Sequence, residues 1–143
     1  MNNIKKISYI LLVLTLIFSF SACNKKPTQD EEIKKFVADK TEEEIKKNKE
    51  SYNDFITMLD EVDEKYQEAI VKNDEKLYKE SRKALGSATF NFDGIINNFP
   101  QKISLEINDL IIKIDDMQGK KDTPENVTKT VKEIKDLVDS VYQ

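Results

Sequence analysis

Apolar residues recur every three or four positions along most of this chain, from Glu31 onward. On an α-helix that spacing places the side chains on one face, whereas a half-buried strand would require strict alternation. The clearest series follows one stripe: Ile45, Tyr52, Phe55, Ile56, Leu59, Val62, Tyr66 and Ile70. It predicts a long amphipathic helix that ends near Lys72, and no strand pattern competes with it.

A shorter apolar stripe, formed by Ile33, Phe36 and Val37, precedes this helix. Thr41 and Glu44 have the spacing of a capping box, in which each side chain accepts a hydrogen bond from the backbone N–H of the other residue. A break between two helices is therefore indicated near residues 39–41. We expect the upstream stripe to form a short helix or a continuous extension, not a disordered segment.

A second helix is predicted to run from about Asp74 to Asn98. Asn73, Asp74 and Glu75 supply the polar oxygens and the negative charge that favour a helix N-terminus. Its apolar stripe consists of Leu77, Ala84, Leu85, Ala88, Phe92, Ile95, Ile96 and Phe99. Pro100 ends this helix, because the proline ring disfavours a helical conformation at the residue before it.

Two more helices are predicted after Pro100. The third closes near Gly119, since glycine readily adopts the left-handed conformation that ends many helices. The fourth starts at Thr123-Pro124-Glu125, with threonine as the cap, proline at the first helical position and an acid in the first turn. The stripes are Ile103, Ile107, Leu110, Ile111, Ile114 and Met117 in the third helix and Val127, Val131, Ile134, Leu137, Val138 and Val141 in the fourth.

Short connections join these four amphipathic segments. Brief loops force neighbouring helices to run in opposite directions. The predicted fold class is therefore all-α: an up-and-down antiparallel bundle of about four helices, with a long first helix that can project beyond the others. We assign this domain to residues 31–143.

The first 22 residues have a different composition from the rest. Lys5 and Lys6 precede an apolar stretch of 14 residues, Ile7–Phe20, and the small residues Ser21 and Ala22 follow it. A membrane-spanning helix needs about 20 apolar residues. A secretory signal peptide has a basic start, an apolar centre of about 7 to 15 residues and small residues at its cleavage point. Residues 1–22 are therefore predicted to be a signal peptide.

The only cysteine, Cys23, comes directly after these small residues. Ser21-Ala22-Cys23 resembles the lipobox of bacterial lipoproteins. The resemblance implies that the Cys23 thiol is lipidated, that the peptide is cut just before it and that the new N-terminus is acylated. It further implies an extracytoplasmic protein, anchored in the cell membrane or the outer membrane. Phe20 departs from the lipobox, where leucine or another aliphatic residue is usual, and an ordinary signal peptide or an uncleaved anchor is the alternative.

A polar segment, Asn24–Asp30 (NKKPTQD), follows the cysteine. It contains no apolar residue and one proline, so we expect it to run extended between the lipid and the domain. Residues 23–30 are accordingly assigned to the lipidated cysteine and a flexible tether.

Charge and residue inventory argue against several function classes. Without residues 1–22 the chain has 21 basic against 27 acidic residues, a formal charge of −6, and its lysines alternate with acids. Nucleic-acid binding needs clustered basic residues instead. The chain has no histidine, which excludes histidine-ligated metals and histidine-assisted nucleophiles. The carboxylate pairs Asp60/Glu64 and Asp115/Asp116 are interpreted as solvated charges, so no enzymatic activity, metal or cofactor is expected.

One segment, Leu85–Gly94 (LGSATFNFDG), fits the helical pattern poorly. Two glycines and a threonine lower its helix propensity. Phe90 and Phe92 are two positions apart, so a regular helix cannot point both rings at one core. The preferred interpretation is a kink that packs both rings between different helix pairs. The alternative is an aromatic patch for a binding partner, made by Phe90 with Phe99 or Tyr78.

Two functions remain open at this point. The first is an interaction module that binds a protein or an envelope partner through a helix face. The second is a carrier that holds a small apolar ligand in the bundle interior. An exposed aromatic patch would favour the interaction module, whereas an enclosed apolar cavity near Tyr52, Tyr66 and Phe92 would favour the carrier.

Overall fold

The structure, a computed structural model, describes residues 26–142. Within this range the chain forms five α-helices and one short 3-10 segment, and it contains no strand. The helices are α1 (Gln29–Ala38), α2 (Glu42–Lys72), α3 (Glu75–Ile95), α4 (Gln101–Lys120) and α5 (Pro124–Tyr142), and the 3-10 segment is Ile96–Asn98. The predicted all-α bundle is confirmed.

Four of the helices close a ring in which each packs against the next. Helix α2 packs against α3, α3 against α4, α4 against α5, and α5 returns to α2. The start of α5 meets the second half of α2, where Thr128 donates a hydrogen bond to Asp63 at 2.8 Å. Its end meets the first half of α2, where Asn48 donates one to the Tyr142 hydroxyl at 3.1 Å. These two helices therefore run antiparallel, while α1 lies outside the ring against α5.

The predicted apolar stripes form one core at the centre of the ring. Its largest side chains with no exposed surface include Phe55, Leu59, Tyr66, Phe92, Ile103, Ile107, Ile114 and Ile134. Aromatic side chains extend this core to the end of the bundle where α5 ends. The ring centroid of Phe99 lies 6.0 Å from that of Phe92 and 5.8 Å from that of Tyr142. Because the apolar stripes of the four helices pack together in this core, the opposite side of each helix faces solvent.

Two capping boxes begin the first two helices. Thr41 and Glu44 form the predicted one: the Thr41 N–H donates to the Glu44 carboxylate at 2.8 Å, and the Glu44 N–H donates to Thr41 Oγ1 at 3.2 Å. Thr28 and Glu31 form a second box, which was not predicted from the sequence. It makes α1 begin at Gln29, two residues before the predicted domain boundary at Glu31.

Helix α4 ends later than its glycine indicated. Gly119 lies inside the helix, and the left-handed residue is Lys121, with φ 51°. The Lys121 ammonium forms an ion pair with Glu75 at 3.0 Å and lies 4.9 Å from the centre of the Tyr78 ring. Gln118, the residue before Gly119, has no exposed surface and donates a hydrogen bond to Ser81 of α3 at 2.7 Å. This buried contact keeps α4 packed on α3 through the glycine, so tertiary packing overrides the preference of glycine for the left-handed position.

Helix α2 is longer than the other helices of the ring. It has 31 residues, against 19 to 21 in α3, α4 and α5. Its first buried residue is Asn48, which contacts Tyr142 at the end of α5. Most residues before Asn48 in α2 are exposed, although Ile45 still packs against the core. Projection of the long helix beyond the bundle stays a prediction. None of the helices within residues 26–142 has the length and apolar character needed to cross a membrane.

Candidate functional site

The three aromatic residues predicted to contact a partner do not lie together. Phe90 is 82% exposed, whereas Phe99 is 3% and Tyr78 is 9% exposed. Phe99 packs between the rings of Phe92 and Tyr142, and the Tyr78 hydroxyl donates a hydrogen bond to the Gln118 carbonyl. The predicted patch of Phe90 with Phe99 or Tyr78 is therefore wrong, because Phe99 is buried in the core and Tyr78 is buried against the end of α4. Only Phe90 remains at the surface.

The irregular segment around Phe90 is a regular helix. Helix α3 continues through both glycines to Ile95, and neither glycine has a positive φ. The preferred kink with both rings packed is wrong. Phe92 sets the rotation of the helix, because its ring packs 5.2 Å from the ring of Phe55 and has no exposed surface. Two residues correspond to about 200° of helix rotation, so Phe90 points away from the core.

An open groove of about 700 Å³ lies beside Phe90, between α3 and α2. It is lined by Met58, Lys83, Gly86, Ser87, Phe90, Asn91, Gly94 and Ile95. Gly86 and Gly94 stand four residues before and after Phe90, and a Cβ atom added to either would meet no other atom within 4 Å. Phe90 thus projects from a helix face on which the positions one turn before and one turn after it carry no side chain.

The charges on this face are free of salt bridges within the described residues. Lys83 is the only charged residue lining the groove, and Asp93 lies on the same exposed side of α3. Neither takes part in a salt bridge among residues 26–142. Arg82, one residue away, pairs with Asp115 at 2.8 Å. Asn91 adds a buried side-chain oxygen that has no hydrogen-bond partner in this part of the chain.

Three of the four carboxylates singled out in the sequence belong to surface ion pairs. Asp60 pairs with Lys135, Asp115 with Arg82 and Asp116 with Lys120, and all three acids are more than half exposed. Glu64 is also exposed. Within residues 26–142 no three histidine, cysteine, aspartate or glutamate side chains are grouped as metal ligands. These carboxylates stabilise contacts between and along helices only weakly, since exposed pairs contribute about 0 to 1 kcal/mol.

The aromatic residues proposed to surround an internal ligand contact other rings instead. Tyr52 stacks on Tyr142 with 5.6 Å between centroids, and Tyr66 lies 6.4 Å from Tyr78. The Tyr66 hydroxyl donates a hydrogen bond to the Asp122 carbonyl at 2.7 Å. Burial, followed by the proximity of Tyr78 and Asp122, raises the pKa of Tyr66 to about 12. Tyr66 and Phe92 are therefore part of the packed core, and the partly buried Tyr52 packs against it.

The sequence pattern did not indicate the groove beside Phe90 as a site. The available signal was the spacing of Gly86, Phe90 and Gly94, which places one ring between two residues without side chains on a single helix face. The segment was interpreted as a helix disturbance because glycine is unfavourable inside helices. An exposed glycine instead lowers the surface beside its neighbours.

Cys23, the predicted lipidation site, lies outside the described residues. Comparison of the chain with protein-family models, curated proteins and solved structures finds no match. The function is therefore inferred from the residues of this chain.

Proposed function

We propose that this protein is a lipid-anchored, extracytoplasmic binding module that contacts a protein partner through the Phe90 face of α3. We define this face as Lys83, Gly86, Ser87, Phe90, Asp93 and Gly94. The observation that carries the proposal is the 82% exposure of Phe90 beside an open groove. A large aromatic side chain left in water on a well-packed helix is typical of a contact residue.

Phenylalanine has the properties of an interface anchor. A Phe side chain can bury on the order of 150 Å² or more, and its two rotatable bonds leave little conformational freedom to lose on binding. The low surface around Phe90 lets a partner approach the ring from the side as well as from above. Anchors of this kind in the centre of an interface account for much of the binding free energy.

The membrane part of the proposal rests on Ser21-Ala22-Cys23. A lipidated Cys23 would be only five residues from Thr28, the cap of α1. Five extended residues span at most roughly 18 Å. The anchor would thus hold the bundle close to the membrane surface, either on the cell membrane or on the outer membrane. Two or more acyl chains are enough for stable anchoring.

Capture of a partner from native membranes tests the function. Tagged full-length chain and its Phe90→Ala variant would be purified side by side, with Val71→Ala as the matched control, because Val71 is an equally exposed apolar residue at 81%. We expect a captured protein that is retained by the control and lost with Phe90→Ala. Equal recovery from all three chains would overturn the Phe90 face as the contact site.

A further inference from the structure

The Phe90 face of α3 carries both a protruding side chain and a recess that could receive one. Phe90 projects into solvent, and one helical turn before it Gly86 lines the adjoining groove with space beyond its Cα. A surface that presents both a knob and a hole can pair with a copy of itself across a two-fold axis. In such an isologous contact, each partner inserts its knob into the hole of the other.

The spacing of the face suits two antiparallel copies of α3. Lys83, Gly86, Phe90 and Asp93 are separated by three, four and three residues, which keeps them on one side of the helix. Gly86 and Phe90 are equally far from Ala88 in opposite directions. A two-fold axis at the level of Ala88 therefore places Phe90 opposite Gly86 of the partner subunit, and this contact occurs twice.

The charges are complementary in the same register. Lys83 lies five residues before Ala88 and Asp93 five residues after it. The same two-fold axis places Lys83 opposite Asp93 of the partner subunit, again twice. Both residues are exposed and form no salt bridge among the residues that the structure describes. A single register therefore pairs Phe90 with Gly86 of the partner subunit and Lys83 with Asp93 of the partner subunit.

We infer that the partner of the Phe90 face is a second copy of this chain, with two α3 helices packed antiparallel about Ala88. The inference rests on the proposed function, because it names the partner of that site. A single pair of helices makes a small interface, below the size of most stable dimers. Anchoring both copies in one membrane raises their effective concentration, so a contact that is weak in solution forms at the membrane surface.

Charge exchange on differently tagged full-length chains tests the inference. The two chains would be expressed together, and the fraction of the second tag recovered with the first would be measured after mild solubilisation of membranes. Lys83→Asp makes both charged positions acidic and Asp93→Lys makes both basic, so each variant should capture its own copy at least tenfold less than the wild type. Lys83→Asp expressed with Asp93→Lys should restore capture, because an acidic face then meets a basic one.

Two further chains control for folding and for general charge. The double variant Lys83→Asp with Asp93→Lys in one chain should recover self-capture. Lys129→Asp applies the same charge change to an exposed lysine of α5 and should leave self-capture unchanged. Because Lys83 and Asp93 are exposed, circular dichroism should show the same helicity in every chain.

Several results would overturn the inference. Absence of self-capture by the wild type would do so, as would self-capture that resists both single charge changes or that the mixed pair fails to restore. A different protein captured in a Phe90-dependent manner, without self-capture, would reject the second copy as partner while the proposed function stands. Self-capture that Phe90→Ala leaves intact would reject the Phe90 face as the site of self-association. If Phe90→Ala also leaves every other captured protein unchanged, the proposed function is rejected as well.

Discussion

Phe90 and Phe92 are separated by one residue on α3, yet Phe90 is 82% exposed and Phe92 has no exposed surface. Phe92 packs against Phe55 across the interface between α2 and α3. That contact fixes the rotation of α3 and turns Phe90 to the opposite side. One tertiary contact therefore decides which of two neighbouring phenylalanines is available to a partner.

Truncation of the two rings should have very different effects on stability. We expect Phe92→Ala to lower the free energy of unfolding by about 3 to 5 kcal/mol, since it leaves a cavity in the core. Phe90→Ala should change it by less than about 0.5 kcal/mol. Denaturant unfolding at two protein concentrations would measure both values and separate any effect of self-association. Equal large losses at both positions would contradict the exposure of Phe90.

The stability of the bundle should fall at alkaline pH because of Tyr66. Burial raises the folded-state pKa of Tyr66 to about 12 from its usual value of 10. Between these values the unfolded chain loses the phenol proton and the folded chain keeps it. The contribution is therefore fully present below about pH 10 and is lost as the pH rises through 12.

Tyr66→Phe isolates this effect. At pH 7 the variant should be less stable by about 1 kcal/mol, because the hydrogen bond to the Asp122 carbonyl is absent. Between pH 10 and 12 it should lose less stability than the wild type. Thermal unfolding of both chains across this range would measure the difference, and parallel pH profiles would show that Tyr66 does not titrate as described.

Replacing Gly94 by alanine should stabilise the protein. Gly94 lies within α3, has no positive φ, and a Cβ atom there meets no other atom within 4 Å. Gly94→Ala should therefore raise the free energy of unfolding by about 0.5 to 1 kcal/mol, mainly by reducing the freedom of the unfolded chain. Denaturant unfolding would measure the gain. A loss of stability would indicate that α3 is not a regular helix at this position.

Lipidation is expected at Cys23. In cells grown with a labelled fatty-acid analogue, the wild-type chain should carry the label and Cys23→Ser should not, because the thiol is the proposed acceptor. The variant should also leave the membrane fraction, since the anchor is absent. Detection of the label after electrophoresis gives a direct comparison. Equal labelling of both chains, or of neither, would refute the lipid anchor.

The sequence by itself determined the fold class and most of the core. The 3.6-residue period of the stripes depends only on which residues are apolar, so the helices of the ring and the buried rows followed from it. The capping box at Thr41 was also predicted and is confirmed, because its hydrogen bonds join residues only three positions apart. Local chemistry of this kind needs no knowledge of distant contacts.

Tertiary structure alone decided the end of α4 and the surface position of Phe90. Gly119 favours a helix end locally, but the buried Gln118, which donates a hydrogen bond to Ser81 of α3, keeps α4 packed through that position. The glycines near Phe90 favour a break locally, yet the packing of Phe92 on Phe55 keeps α3 regular. Helix propensities differ by about 1 kcal/mol per glycine, whereas burial of one phenylalanine contributes roughly 1.5 to 3 kcal/mol. The larger contribution joins residues far apart in the chain, so it determined the outcome.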